Sequence, residues 1–259
     1  MRAIFFALAS FLLAAASPAA ALQPVTVVAH RGLEPGVPEN TVAAFRQSVA
    51  HGVKIIEIDV RRTKDGQLVI LHDATLDRTT DCSGPVTAID LARLRSCDAG
   101  WPTNPGERVP TLSEALDYVG TTQARLLLDI KSAALGEVLG LVRDHRAESR
   151  VILGLRSARD VARARSELPS VAIIGFIPEI GDADNFAKSG ATFLRLWSDW
   201  VDIDPMLVAR TRKLGPEVWI VVGRSLPSKE RDWRALHARM IAAGAQGLIT
   251  NRPDLISQP

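Results

Sequence analysis

The chain has 259 residues, with 31 Lys and Arg against 29 Asp and Glu for a formal charge of +2. That near-neutral balance argues against nucleic acid or an anionic membrane surface as a partner, so any anionic ligand must be met by local charge. With 47% hydrophobic residues, the chain is long enough and apolar enough to bury a full core.

Met1-Arg2, an apolar run from Ala3 to Ala16 and the small-residue ending Ala19-Ala20-Ala21 read as a secretory signal peptide over residues 1–21. The alternative, a membrane anchor, needs roughly 20 apolar residues and a stop signal. No later segment is apolar enough to span a bilayer. Residues 22–259 are therefore expected to form one periplasmic or secreted domain without stable membrane insertion.

Strand-like runs recur at 25–30, 53–60, 68–72, 125–131, 151–155, 171–177, 192–197, 218–222 and 247–250. Most are continuously apolar, as parallel strands covered by helices should be. Amphipathic helical patterns lie between them, over 42–50, 115–119 after the capping-box sequence Thr111-Leu112-Ser113-Glu114, 158–168, 183–189, 204–214 and 228–243. Such alternation implies right-handed βαβ units. Thr63-Lys64-Asp65-Gly66 leaves no room for a crossover helix, so 68–72 folds back as a hairpin arm and eight parallel strands remain. The expected fold is an α/β TIM-type (β/α)8 barrel with a small insertion after the second strand's hairpin; an open doubly wound sheet is the alternative.

The insertion, about 74–110, is rich in Gly and Pro, has a short helix near 89–94, and is placed as a substrate-shaping lid over the C-terminal face. It holds Cys82 and Cys97, the chain's two cysteines. An exported chain with an even count points to a disulfide closing a loop of about 15 residues, with two free thiols as the alternative.

Glu57 and Asp59 alternate with Ile56, Ile58 and Val60, so the two carboxylates share one face of a strand. Side by side and buried, they need a cation: a hard divalent metal, or salt bridges to Arg61, Arg62 or Lys54. Asp129 and Lys131 share a face of the apolar strand Leu126–Lys131, either as a third oxygen ligand beside a phosphate-binding ammonium or as a simple buried pair. His30 and His72 end strand runs beside these acids, which suits a proton donor and acceptor flanking a scissile bond. Arg31 adds a planar fork for phosphate oxygens. His51, His145 and His237 read as surface residues on helices or helix ends.

His30-Arg31-Gly32, Pro38-Glu39-Asn40-Thr41, Glu57-Ile58-Asp59-Val60, Thr63-Lys64-Asp65-Gly66, His72-Asp73 and Leu76-Asp77-Arg78-Thr79-Thr80 together resemble the bacterial glycerophosphodiester phosphodiesterases. The likeness continues through Val109–Glu114, Asp129-Ile130-Lys131 and Gly247–Pro253. It implies a barrel enzyme that hydrolyses small-molecule glycerophosphodiesters to glycerol phosphate and an alcohol. Glu57, Asp59 and Asp129 would hold one divalent cation, Mg or Ca; His30 and His72 would be the catalytic acid and base, and Arg31, Lys131 and Trp219 would contact substrate. The chain departs from the family in carrying Asp129 where Glu is usual, in losing Thr and Asn after Trp219, and in ending Thr250-Asn251 where the family has Thr-Asp. Two rival functions are phospholipase-D-like cleavage of lysophospholipids, with Trp101, Trp197, Trp200 and Trp219 as an apolar mouth, and non-catalytic binding of phosphodiesters.

Overall fold

Side chains of two parities run up the strands and divide the protein into an inner and an outer core. The computed structural model describes residues 25–32, 36–102, 104–223 and 232–256. The expected signal segment and the start of the helix read over 228–243 lie outside the described residues. The strands are β1 (Thr26–His30), β2 (Ile55–Arg62), β3 (Leu68–Ile70), β4 (Arg125–Ile130), β5 (Val151–Leu155), β6 (Ala172–Gly175), β7 (Phe193–Trp197), β8 (Glu217–Val221) and β9 (Gly247–Thr250). They run in the order β1-β9-β8-β7-β6-β5-β4-β2-β3, and β1 also pairs with β2. Eight parallel strands thus close into a barrel, and β3 lies antiparallel on β2 as an outer arm, with Val60 opposite Ile70.

Inward positions of the lower barrel carry Val28, Ile55, Leu127, Ile152, Ile174, Phe193, Trp219 and Ile249, a packed plug. The opposite parity, including Ile56, Ile58, Val60, Leu126 and Leu128, belongs to the larger core under the helices. Both parities are buried because a barrel strand has helices on one side and the interior on the other.

Between successive strands lie α1 (Val42–Ala50), α3 (Leu112–Gly120), α4 (Leu135–Asp144), α5 (Ala158–Glu167), α6 (Ala183–Lys188), α7 (Ser198–Ile203), α8 (Leu207–Arg212) and α9 (Trp233–Ala242); α2 (Leu91–Leu94) belongs to the insertion. α3 starts with the capping box read from its sequence, Thr111 Oγ1 accepting from the Glu114 N–H and the Glu114 carboxylate from the Thr111 N–H. α4 is a helix that the sequence reading passed over: Gly136 and Gly140 weaken its propensity, but Leu135, Val138, Leu139 and Val142 repeat at helical spacing and pack on the core. The helix expected over 204–214 is shorter, with α7 ahead of it.

The insertion has its own small core. Leu76, Val86, Leu94, Cys97, Ala99 and Val109 pack on Val69 and Leu71 of the β3 arm, and Cys82 is bonded to Cys97. Most of its apolar side chains are consumed by that packing, though Trp101 stays exposed. Among the described residues, none between 74 and 110 lines the barrel cavity.

Candidate active site

The plug ends one pleat below the strand tips, and the inward positions above it turn polar. Val28 is followed by His30, Ile55 by Glu57 and Asp59, Leu127 by Asp129 and Phe193 by Arg195, each on the same face. Register brings the acids together: Glu57 lies opposite His30, and Asp59 opposite Asp129. A cavity of about 500 Å³ opens there, and His30, Arg31, Glu57, His72, Asp129 and Lys131 are among its lining residues.

The carboxylates of Glu57, Asp59 and Asp129 each place an oxygen within 4.8 Å of the others, and all three residues are buried. Burial, reinforced by Asp59 and Asp129, pushes the Glu57 carboxyl well above the usual carboxylate range. Burial acts in the same sense on Asp59, but Lys131 and Arg31 outweigh it and hold that group below its ordinary value. Lys131 Nζ sits between two acids, 3.1 Å from Asp59 Oδ1 and 2.5 Å from Asp129 Oδ2. Asp129 Oδ1 also lies 2.5 Å from Arg156 Nη2. Neither Asp59 Oδ1 nor Asp129 Oδ1 has a well-formed hydrogen bond. A buried all-oxygen cluster of three carboxylates, one of them driven toward neutrality, fits a hard divalent cation. Arg61 and Arg62 direct their hydrogen bonds elsewhere, Arg61 to the His72 carbonyl and Arg62 to Glu137, although Arg61 still feels the charge of Asp59 and Asp129.

The loop after β1 is wound to serve this cluster. Arg31 has φ 59° and Gly32 φ 63°, so the chain turns sharply and the Arg31 N–H donates to Glu57 Oε2 at 2.9 Å. A left-handed non-glycine residue is strained, and such strain collects at functional sites. Asn40, also left-handed at φ 59°, donates its amide to Asp59 Oδ2 at 2.9 Å and accepts from the Asp59 N–H at 3.3 Å.

Both imidazoles are oriented by side chains. His30 Nδ1 donates to Asn251 Oδ1 at 2.5 Å, which leaves Nε2 with its lone pair, 3.8 Å from Glu57 Oε2. Burial first, then Arg31, lowers the His30 pKa to about 4. His72 Nδ1 lies 2.6 Å from Asp73 Oδ1. Arg78 holds Asp73 far below the usual carboxylate range and also binds Glu39, whose Oε1 accepts from Arg31 Nη1 at 3.0 Å. A chain of alternating charges therefore connects the two histidine neighbourhoods.

Trp219 is the correction among the substrate-contacting residues. It is 1% exposed, packs on Phe193 with ring centroids 4.1 Å apart, donates its indole N–H to Glu217, and does not line the cavity. Its face is the inward one, but it sits a layer too low. His237 is a second correction: it is buried rather than on the surface, with Nε2 2.8 Å from Thr250 Oγ1. The tryptophans do not gather into an apolar mouth. Trp101 is exposed, Trp200 packs on the outer core, and among the four only Trp197 lines the cavity.

Motif residues Glu39, Asn40, Asp73, Arg78 and Asn251 acquire contacts that the sequence did not assign. Arg156, Phe176 and Arg195 line the cavity from segments without any motif. The one signal for Arg195 was a charge at an alternate position of the otherwise apolar run Phe193-Leu194-Arg195-Leu196-Trp197.

Comparison with known proteins agrees with this geometry. Residues 30–255 match the model of the glycerophosphoryl diester phosphodiesterase family. The chain is 32% identical over 245 residues to a glycerophosphodiester phosphodiesterase of Caldanaerobacter subterraneus, covering 89% of this chain and 95% of that protein. A glycerophosphodiester phosphodiesterase from Agrobacterium tumefaciens superposes with a TM-score of 0.76 at 26% identity, over 90% of this chain and 99% of that one. A phosphodiesterase from Oleispira antarctica, solved with the product sn-glycerol-3-phosphate, shares the fold at a TM-score of 0.77 and 24% identity, over 89% of this chain and 94% of that one.

Proposed function

The chain belongs to the glycerophosphoryl diester phosphodiesterase family and is a phosphoric diester hydrolase; from that premise we propose that it cleaves glycerophosphodiesters by metal-assisted, two-histidine acid/base catalysis. The observation that carries this proposal is the meeting of Glu57, Asp59 and Asp129 in one cavity that His30 and His72 also line. Glu57, Asp59 and Asp129 would hold a divalent cation, Mg²⁺ or Ca²⁺, which when bound offsets charge on the phosphoryl oxygens.

Arg31 and Lys131 line the same cavity and are the side chains suited to bind the phosphodiester anion. His30, with Nδ1 engaged by Asn251, offers Nε2 as the base that takes the proton from the attacking hydroxyl, whether the neighbouring glycerol hydroxyl or water. His72, with Nδ1 tied to Asp73, leaves its other nitrogen to protonate the departing alcohol oxygen. Asn40 and the Arg31 N–H fix Asp59 and Glu57, so the site is organised before substrate arrives.

An extracytoplasmic location is part of this proposal. The leader-like start of the chain supports it, as does the Cys82–Cys97 disulfide, a bond that persists in oxidising compartments. Among the described residues no helix is long and apolar enough to cross a membrane.

The test is release of glycerol phosphate from glycerophosphodiesters by the purified protein. His30→Ala and His72→Ala are each expected to lower kcat at least about 10²-fold with native circular dichroism. A fully active, folded variant at either position removes that histidine from the chemistry.

A further inference from the structure

The wall opposite the carboxylates is also cationic, and the hydrolysis proposed above does not use it. Counted in either direction around the closed barrel, β7 is the fourth strand from β2. Its inward side chains therefore face Glu57 and Asp59 across the mouth. Arg195 rises from β7 one inward position above Phe193 and one below Trp197, and it is only 8% exposed. Its guanidinium carbon lies 3.8 Å from the centroid of the Trp197 ring and 4.8 Å from that of Phe176. Arg156, beyond the end of β5, reaches the same Phe176 ring at 5.2 Å while also pairing with Asp129. All four side chains line the cavity.

A guanidinium held between two aromatic faces is rigid and partly desolvated; Arg195 Nη2 points to the Ile177 carbonyl at 3.5 Å, and a planar guanidinium matches the oxygens of phosphate. The same arrangement disfavours a cation twice over. Aromatic faces that might have cupped a quaternary ammonium are taken by guanidinium groups, and an incoming cation meets like charge from Arg195 and Arg156. Arg31 and Lys131 already serve the scissile phosphate from the β1, β2 and β4 side, so a second anion is what this far wall is built to meet.

We propose that Arg195, framed by Phe176 and Trp197 and assisted by Arg156, forms a head-group subsite for a second phosphate. It would make the substrates glycerophosphodiesters whose alcohol portion carries its own phosphate, and select against choline. This inference rests on the glycerophosphodiester hydrolysis proposed above.

The experiment compares kcat/KM for bis(glycerophospho)glycerol, glycerophosphoglycerol and glycerophosphocholine, which present anionic, neutral and cationic head groups. The native enzyme is expected to prefer the anionic substrate over the choline ester at least tenfold. Arg195→Met keeps an apolar stem between the rings and should lower the anionic-to-neutral ratio at least tenfold, chiefly through KM; Arg195→Lys should restore part of it. A native enzyme that treats the three alike or favours choline overturns the subsite, as does a ratio unmoved in folded Arg195→Met.

If no glycerophosphodiester is cleaved, the hydrolysis itself fails, and calorimetry with glycerol 1,3-bisphosphate and glycerol 3-phosphate decides the subsite independently. At least tenfold tighter binding of the bisphosphate, lost in Arg195→Met, supports the subsite; equal affinities refute it.

Discussion

The neutral amide oxygen of Asn251 accepts the His30 Nδ1–H at 2.5 Å. That contact sets the tautomer without placing a further negative charge beside an already crowded cluster of acids. Removing it should free the ring to rotate and to carry its proton on the wrong nitrogen. Asn251→Ala is expected to reduce kcat ten- to a hundredfold, about the range for residues that orient a working ligand or base, with KM little changed; steady-state kinetics beside a melting curve checks this. His237 is a residue-scale case with a different readout. Burial lowers its pKa to about 4, below the ordinary value near 6.5. The unfolded chain therefore takes up this proton at a higher pH than the folded one, and stability drains away as pH falls from about 6.5 to about 4. Urea unfolding at pH 7 and pH 4.5 should show His237→Gln, which can still bond Thr250, losing about 2 kcal/mol less than the native protein over that interval.

Within elements, strand parity was legible and height was not. The alternation of Glu57 and Asp59 with Ile56, Ile58 and Val60 assigns the two faces of β2 from sequence alone, and the two cores follow it. Trp219 obeys the same parity, yet it is structural. An inward side chain meets the cavity only if it also lies in the top layer, and a strand's sequence does not state where its neighbours end. Trp219 fills space that Gly247 leaves open across the β8–β9 pair: a Cβ on Gly247 would sit 2.6 Å from the indole ring. The indole is pinned by Phe193 and cannot step aside. Gly247→Ala is accordingly expected to destabilise the protein by about 1–3 kcal/mol, the usual cost of overpacking, read as a lower melting temperature with the inner plug disturbed. A variant as stable as the native protein would mean that the plug yields more easily than its packing implies.

At the scale of the molecule, barrel closure turns separate strand tips into one site. β1 against β2 sets His30 beside Glu57, and β2 against β4 sets Asp59 beside Asp129. Glu57 is repelled by Asp59 and Asp129 even with Lys131 between those two acids, so occupancy of the cluster should be felt by the whole fold. Chelation should abolish hydrolysis and Mg²⁺ or Ca²⁺ restore it. At a hundredfold excess over Kd, the restoring ion should add about 2.7 kcal/mol of stability, or some 5–11 °C in melting temperature for a domain of this size. Activity and melting both indifferent to chelator would remove the ion from the mechanism.

The sequence by itself determined the strands and where charge sits on them: the parallel barrel with its hairpin arm, the shared face of Glu57 and Asp59, the out-of-place charge of Asp129 in an apolar strand, and a histidine at the end of β1 and another just past β3. Each of these is local, because hydrophobic period and turn chemistry are properties of a few adjacent residues. Only tertiary structure decided which inward positions reach the cavity and which are plug, that the insertion spends most of its apolar residues on its own core, that Asn251 and Asp73 orient the two rings, and that Arg195 faces the acids from the far wall. Those outcomes depend on layer height and on strands remote in the chain but adjacent around the barrel, distances that no window of sequence contains.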